Sequence, residues 1–185
     1  SFMIQNVLAA TLATYVYGFA TEDIATSLET FIPSAAQTPG RMNIFDFKEY
    51  KAMIDFAHNA DGFRGIKEFL STIESTSKIG IITGTGDRRD DDIRDMGRIS
   101  AEMFDHIIIR QDKFLRGRQA EEIVKLLVEG IQQVNPMTSY EYVPKEIEAL
   151  NHAFSIAKPG SFIVALSDVI DNAIEVVHSY LDKER

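Results

Sequence analysis

The sequence predicts an α/β fold: a mostly parallel sheet with helices on both faces, preceded by a short helical segment. Three observations carry this. From residue 42 onward, short apolar runs alternate with amphipathic helical stretches, the pattern of strands covered on both sides. The ends of several runs break into loops rich in Gly, Asp and Arg, such as "TGTGDRRDDD". The first 32 residues follow a helical pattern instead, and "IPSAAQTPG" cuts them off as a Pro/Gly-bearing linker.

Taken in order, residues 2–18 form a helix apolar on nearly every side, which such helices bury or pair with a partner. "TEDIATSLETF" follows as a second helix, with Thr21 as N-cap and Ile24, Leu28 and Phe31 on one face. These two helices are expected to belong to a preceding domain (1–32), with the α/β domain running from 33 to 185. "MNIFDF" and "EYKAMIDFA" are strands, "GFRGIKEFLSTI" a helix, "KIGIITG" a strand, and "DIRDMGRISAEMF" a helix with Ile93, Met96 and Met103 inward. "HIIIR" is a short apolar strand, followed by the helix "AEEIVKLLVEGI" and a weaker strand, "SYEYV". "PKEIEALNHAFSIA" is a helix with Pro144 in its first turn, where a missing N–H costs little. The strand "SFIVAL" precedes a last helix, "DVIDNAIEVVHSYL", with Ile170, Ile174, Val177 and Leu181 as its buried stripe.

Composition bounds the function. The 185 residues are 45% hydrophobic and 25% charged, enough for a real core. The absence of cysteine excludes disulfides, thiolate metal sites and cysteine nucleophiles, and it is compatible with a cytoplasmic setting. A net charge of −9 argues against broad attraction to nucleic acid or an anionic membrane. The first helix is interrupted by Gln5, Asn6, Thr11 and Thr14, so it is not a span, and it lacks the basic start of a secretory signal. A chain starting Ser1-Phe2 is expected to be processed or cut from a longer protein.

In parallel sheets, ligands sit beyond the carboxyl ends of the strands, which nominates four loops. The first holds Asp55, His58 and Asn59. An aspartate at a strand end accepts hydrogen bonds from ribose hydroxyls, or else serves as a turn or capping aspartate, and spacing does not separate the two. His106, His152 and His178 share no spacing with His58 that suggests a metal site. The second loop, with Gly84 and Gly86, is neither a phosphate loop nor a dinucleotide fingerprint, and Asp90 to Asp92 suit the dipole of the following helix. The third, "RQDKFLRGR", gathers Arg110, Lys113, Arg116 and Arg118 around Asp112, either a carboxylate- or phosphate-binding cluster or a solvated basic patch. The fourth offers Ser167 and Asp168, suited to N-capping. Nowhere does a Gly-Lys-Ser/Thr loop, zinc signature or serine elbow occur. A rim with an aspartate and arginines but no phosphate cradle suggests half of an active site.

"NVLAA" at 6–10, "PGRMN" at 39–43, "DFAHNADG" at 55–62, "GTGDRRDDDI" at 84–93 and "RQDKFLRGR" at 110–118, in this order and followed by "SDVID", resemble the C-terminal part of the Mur ligase family. The resemblance implies a Rossmann-like lid that closes over ATP held by a central ATPase domain, in an ATP-dependent amide ligase. It implies that Asn6 meets the adenine, Arg41 reaches the phosphates and Asp55 binds the ribose, with His58 and Asn59 beside the phosphoryl-transfer centre. Ala60 stands where the family's motif carries proline, and Phe56 where it carries tyrosine. The finer likeness, within the family, is to ligases that join arginine to the β-carboxylate of aspartate in a poly-aspartate primer. Asp112 and Arg116 would then position the arginine. Mg2+ would be held mainly by the missing upstream domain, and the whole enzyme is expected to be a homo-oligomer. A fragment so placed is inactive alone. The competing expectation is a freestanding, non-catalytic module that binds a nucleotide or amino acid.

Overall fold

A computed structural model describes residues 2–32 and 34–184; Pro33, in the expected linker and at the expected domain boundary, lies outside them. Two helices come first, α1 (Phe2–Tyr17) and α2 (Thr21–Thr30), followed by strands β1 (Asn43–Asp46) and β2 (Lys51–Asp55). Then come α3 (Ala60–Leu70), β3 (Ser77–Ile82), α4 (Asp90–Met103), β4 (His106–Ile109) and α5 (Ala120–Val134). β5 (Ser139–Tyr142), α6 (Glu146–Ile156), β6 (Ser161–Leu166) and α7 (Ile170–Glu184) complete the chain.

The six strands form one sheet in the order β1-β2-β6-β3-β4-β5. β1 runs antiparallel to β2, and every other pairing is parallel. Successive residues of a strand point to opposite faces, and both faces are apolar here. Met53, Ile82, Ile107 and Ile109 pack with Phe63, Met96 and Leu127 of α3, α4 and α5. Ala52, Ile54, Ile81 and Ile108 pack with Leu150, Ala153 and Val177 of α6 and α7. This is why "HIII" carries no polar alternation: Ile107 and Ile108 are both fully buried, on opposite sides. α4 and α5 cross at close quarters because Gly97 and Gly130 face each other's backbone, where a Cβ would collide with Leu127 O and Arg94 O.

Several local expectations are corrected. Thr21 does not cap α2; Ala20 holds the N-cap position without a side-chain bond, and Thr21 Oγ1 donates to Glu22 instead. Pro144 lies two residues ahead of α6 rather than inside its first turn. In α7 the fully buried residues are Ala173 and Val177, while Ile170, Ile174 and Leu181 are only partly covered, because α7 lies over the flank of the second core. Among the described side chains of α1, from Ile4 onward, no large apolar one is buried: Leu8, Leu12 and Tyr15 are each about 60% exposed (62%, 63% and 59%). No helix among the described residues is long and apolar enough to cross a membrane.

Candidate functional site

Among the described residues, apart from Ser100 and Ser161, every buried polar or charged side chain lies at the carboxyl-end rim of the sheet. Asp55 ends β2 and is 5% exposed. Its Oδ2 accepts from Met42 N (2.8 Å) and its Oδ1 from Ala57 N (2.7 Å). Burial, the largest influence, raises its carboxyl above the ordinary range, against the two amides and Arg41, which lower it.

The segment "TPGRMN" is built to make that contact. Asn43 is buried; its Oδ1 accepts from Gly40 N (2.7 Å) and its Nδ2 donates to Thr38 O (3.0 Å). Phe56 N donates to Gly40 O (2.9 Å), tying the turn to the end of β2. Held so, the chain passes Met42 at φ +50°, a left-handed conformation rare for methionine, and this aims its N–H at Asp55. Arg41, next to it, sits over the Phe56 ring at 5.5 Å from the centroid.

His58 and Asn59 open α3. His58 Nδ1 lies 3.0 Å from Phe56 O; a carbonyl only accepts, so Nδ1 is the donor and the Nε2 edge is left to face the cavity. Asn59 is the N-cap of α3, with Oδ1 accepting from Gly62 N (2.8 Å), and its amide N–H groups remain for another partner. Asn6, Arg41, Asp55, His58 and Asn59 line a single cavity of about 350 Å3, with Phe56 and Gly62. All five side chains expected at the nucleotide are thus brought together, Asn6 coming from α1.

The other two expected residues are not. Asp112 is buried, with Oδ1 accepting from Phe114 N (2.8 Å), and it lines a different cavity of about 550 Å3 with Arg110, Lys145, Glu146 and Asn172. Burial raises its carboxyl. Arg116, at φ +49°, does not line that cavity; it pairs with Asp87 of the second loop. These two loops interlock: a Cβ on Gly86 would run into Leu115 O.

Arg110 is not part of an open basic patch. It is 2% exposed and pairs with Asp168, with Nη2 also donating to Leu166 O (3.3 Å). Asp168 therefore braces Arg110 and does not cap α7, whose turn is held by Val169 N donating to Ser167 Oγ (3.1 Å). Ser167 in turn donates to Glu146, whose carboxyl burial raises. Asp90 to Asp92 occupy the first turn of α4, as their dipole preference requires. Sequence reasoning missed Asn43 and Glu146 as site residues. An asparagine after a Pro-Gly turn signalled the first, while nothing local marked Glu146.

Residues 40–168 match the model of the Mur ligase, glutamate ligase domain. The chain belongs to the Mur ligase family. Among curated relatives it is 41% identical to the cyanophycin synthetase of Synechocystis sp., over 95% of this chain and 20% of that protein. It is 28% identical to the UDP-N-acetylmuramyl-tripeptide synthetase of Treponema denticola, over 94% of this chain and 32% of that protein. The chain thus spans only a fifth to a third of the length of these Mur ligase relatives. Solved structures share the fold: a UDP-N-acetylmuramoyl-L-alanyl-D-glutamate–2,6-diaminopimelate ligase has a TM-score of 0.68 at 20% identity, covering 98% of this chain and 38% of that one. E. coli FolC in complex with ADP gives 0.70 at 18% identity, covering 95% and 39%. Kinship with ligases along nearly the whole chain does not favour the freestanding binding module.

Proposed function

We propose that this Mur ligase domain is the lid of an ATP-dependent ligase of the cyanophycin synthetase kind, adding arginine to the β-carboxylate of aspartate in a poly-aspartate backbone. One observation carries the reading: Asp55, clasped by Met42 N and Ala57 N, shares a cavity with Arg41, His58, Asn59 and Asn6.

Each Asp55 oxygen receives one backbone N–H and retains a lone pair for a ribose hydroxyl. Arg41 offers a guanidinium fork, and α3 its positive end, for phosphates. The Asn6 amide suits the edge of an adenine. ATP, when bound, supplies the phosphoryl group that turns a carboxylate into an acyl phosphate open to attack by an amine. His58 and Asn59 stand beside that transfer, and closure of the rim keeps water from it. Asp55, His58 and Asp61 line this cavity, but the clustered trio of metal-ligating side chains among the described residues lies elsewhere. Mg2+, which takes one or two carboxylates with phosphate oxygens, would be held mainly by residues outside this chain.

Asp112 would attract the guanidinium of the incoming arginine, and Arg116 would hold its α-carboxylate after exchanging Asp87 for it. Residues 1–32 would be the trailing helices of the central ATPase domain, which would cover the exposed apolar flank of α1. The full enzyme would work as a cytoplasmic homo-oligomer. The test is to supply the full-length protein with ATP, arginine and a poly-aspartate primer. Arginine incorporation coupled to ADP release is expected, and the 185-residue chain alone should give neither. Turnover by this chain alone, or ATP use indifferent to arginine, would refute the reading.

A further inference from the structure

The sequence spacing of the histidines suggested no metal site, yet the fold brings two of them together with a glutamate far from the nucleotide cavity. His106 begins β4, and its side chain shares a sheet face with Ile108, two residues on. In the parallel pairing with β5, Ile108 lies opposite Glu141, so Glu141 is on that face too. α6 packs on the same face and contributes His152. The ligand-capable atoms of His106, Glu141 and His152 all lie within 4.8 Å of one another. His152 Nε2 is 2.9 Å from Glu141 Oε2, and His106 Nε2 is 3.2 Å from Oε1.

Two details distinguish this from an ordinary surface ion pair. His106 Nδ1 is 2.9 Å from Ser139 Oγ, so Nδ1–H can donate to the hydroxyl and leave the Nε2 lone pair toward the cluster. A ligating imidazole is oriented in this way, through its other ring nitrogen. Nε2 itself is buried and, although Glu141 Oε1 is 3.2 Å away, makes no well-aligned hydrogen bond.

We propose that His106, Glu141 and His152 form a binding site for a divalent transition-metal ion, Zn2+ above all. Two imidazoles and a carboxylate favour such an ion over Mg2+ or Ca2+. Metal–ligand bonds of about 2 Å in a tetrahedron set donors roughly 3.3 Å apart, close to the spacing already present. Three protein ligands leave the fourth position to water, reachable because Glu141 is 47% exposed. The ion would staple β5, an edge strand exposed along its whole length, to β4 and α6. The role is structural and needs no nucleotide.

The test uses the full chain, stripped with chelator, then given a tenfold molar excess of zinc. One equivalent should bind, and at about a hundredfold excess over Kd the Tm should rise by roughly 5–10 °C. Co2+ in place of zinc should show the intense visible bands of a tetrahedral site. His152→Ala and Glu141→Gln should abolish both responses, while His178→Gln, on the far helix, should keep them. The Co2+ spectrum decides the case even if a variant is less stable without metal. No zinc response in the parent, or one that survives His152→Ala, would overturn the site and leave Glu141 and His152 as a plain ion pair.

Discussion

Asn43→Ala separates the scaffold of the proposed nucleotide cavity from its ligand contacts. Asn43 is 5% exposed and touches no expected ligand; it holds Gly40 N at 2.7 Å and Thr38 O at 3.0 Å. Truncation leaves Gly40 N without its partner, while Thr38 O still accepts from Arg41 N (3.2 Å). A buried group so stranded costs about 1–3 kcal/mol. Gly40 is buried, and with Thr38 O still paired the total stays at about 1–3 kcal/mol. For a domain of this size that lowers Tm by roughly 3–10 °C. The turn that aims Met42 N at Asp55 and carries Arg41 loosens as well, so nucleotide affinity should fall along with stability. Urea unfolding followed by circular dichroism gives the first quantity, as a lower midpoint with an unchanged slope. Asn43→Asp keeps the acceptor for Gly40 N but sets a buried carboxylate oxygen against Thr38 O, so it should not restore the stability of the parent. An alanine variant as stable as the parent would show that the turn is held by something other than this side chain.

Further outcomes follow from the same geometry. Arg41→Ala should weaken ATP binding at least tenfold in the full-length protein while moving stability by less than about 0.5 kcal/mol, since an exposed guanidinium over Phe56 contributes little to the fold; isothermal titration and melting read the two together. Gly86→Ala places a Cβ against Leu115 O, an overpacking cost of about 3 kcal/mol, and limited proteolysis should then cut the third rim loop faster. Burial raises the Glu146 carboxyl, helped by Asp168 and Asp112 against Arg110, so the folded state holds that proton more firmly than the unfolded chain does. The group is protonated in both states below its unfolded pKa. Its penalty therefore appears as pH rises from there through the folded value. The stability of the parent minus that of Glu146→Gln should increase as pH falls across that window, and urea titrations at several pH values would show it.

The strands and helices were legible because both faces of the sheet are apolar, so "HIII" and "SFIVAL" stand out without alternation. The rim was legible as a place because strand ends and polar loops coincide, and Asp55 was legible as its centre. Which polar residues bind and which brace was not. Arg110 and Arg116 look alike in "RQDKFLRGR", yet one is buried against Asp168 and the other sits outside against Asp87. That difference depends on β6 and the second loop, which are remote in sequence. Asp168 was read as a cap for the same reason, since its partner Arg110 lies on β4's end and no local spacing reveals it. Glu141 and His152 meet His106 only through the β4–β5 register and the packing of α6.

The most direct measurement is the ATP dissociation constant of the full-length protein, with Asp55→Asn beside the parent. Asparagine sets an NH2 against one of the two amides that Asp55 accepts, and offers a ribose fewer lone pairs. ATP binding should weaken by at least tenfold, with the chain still folded by circular dichroism. An unchanged dissociation constant would contradict the assignment of this cavity to the nucleotide, and with it the lid.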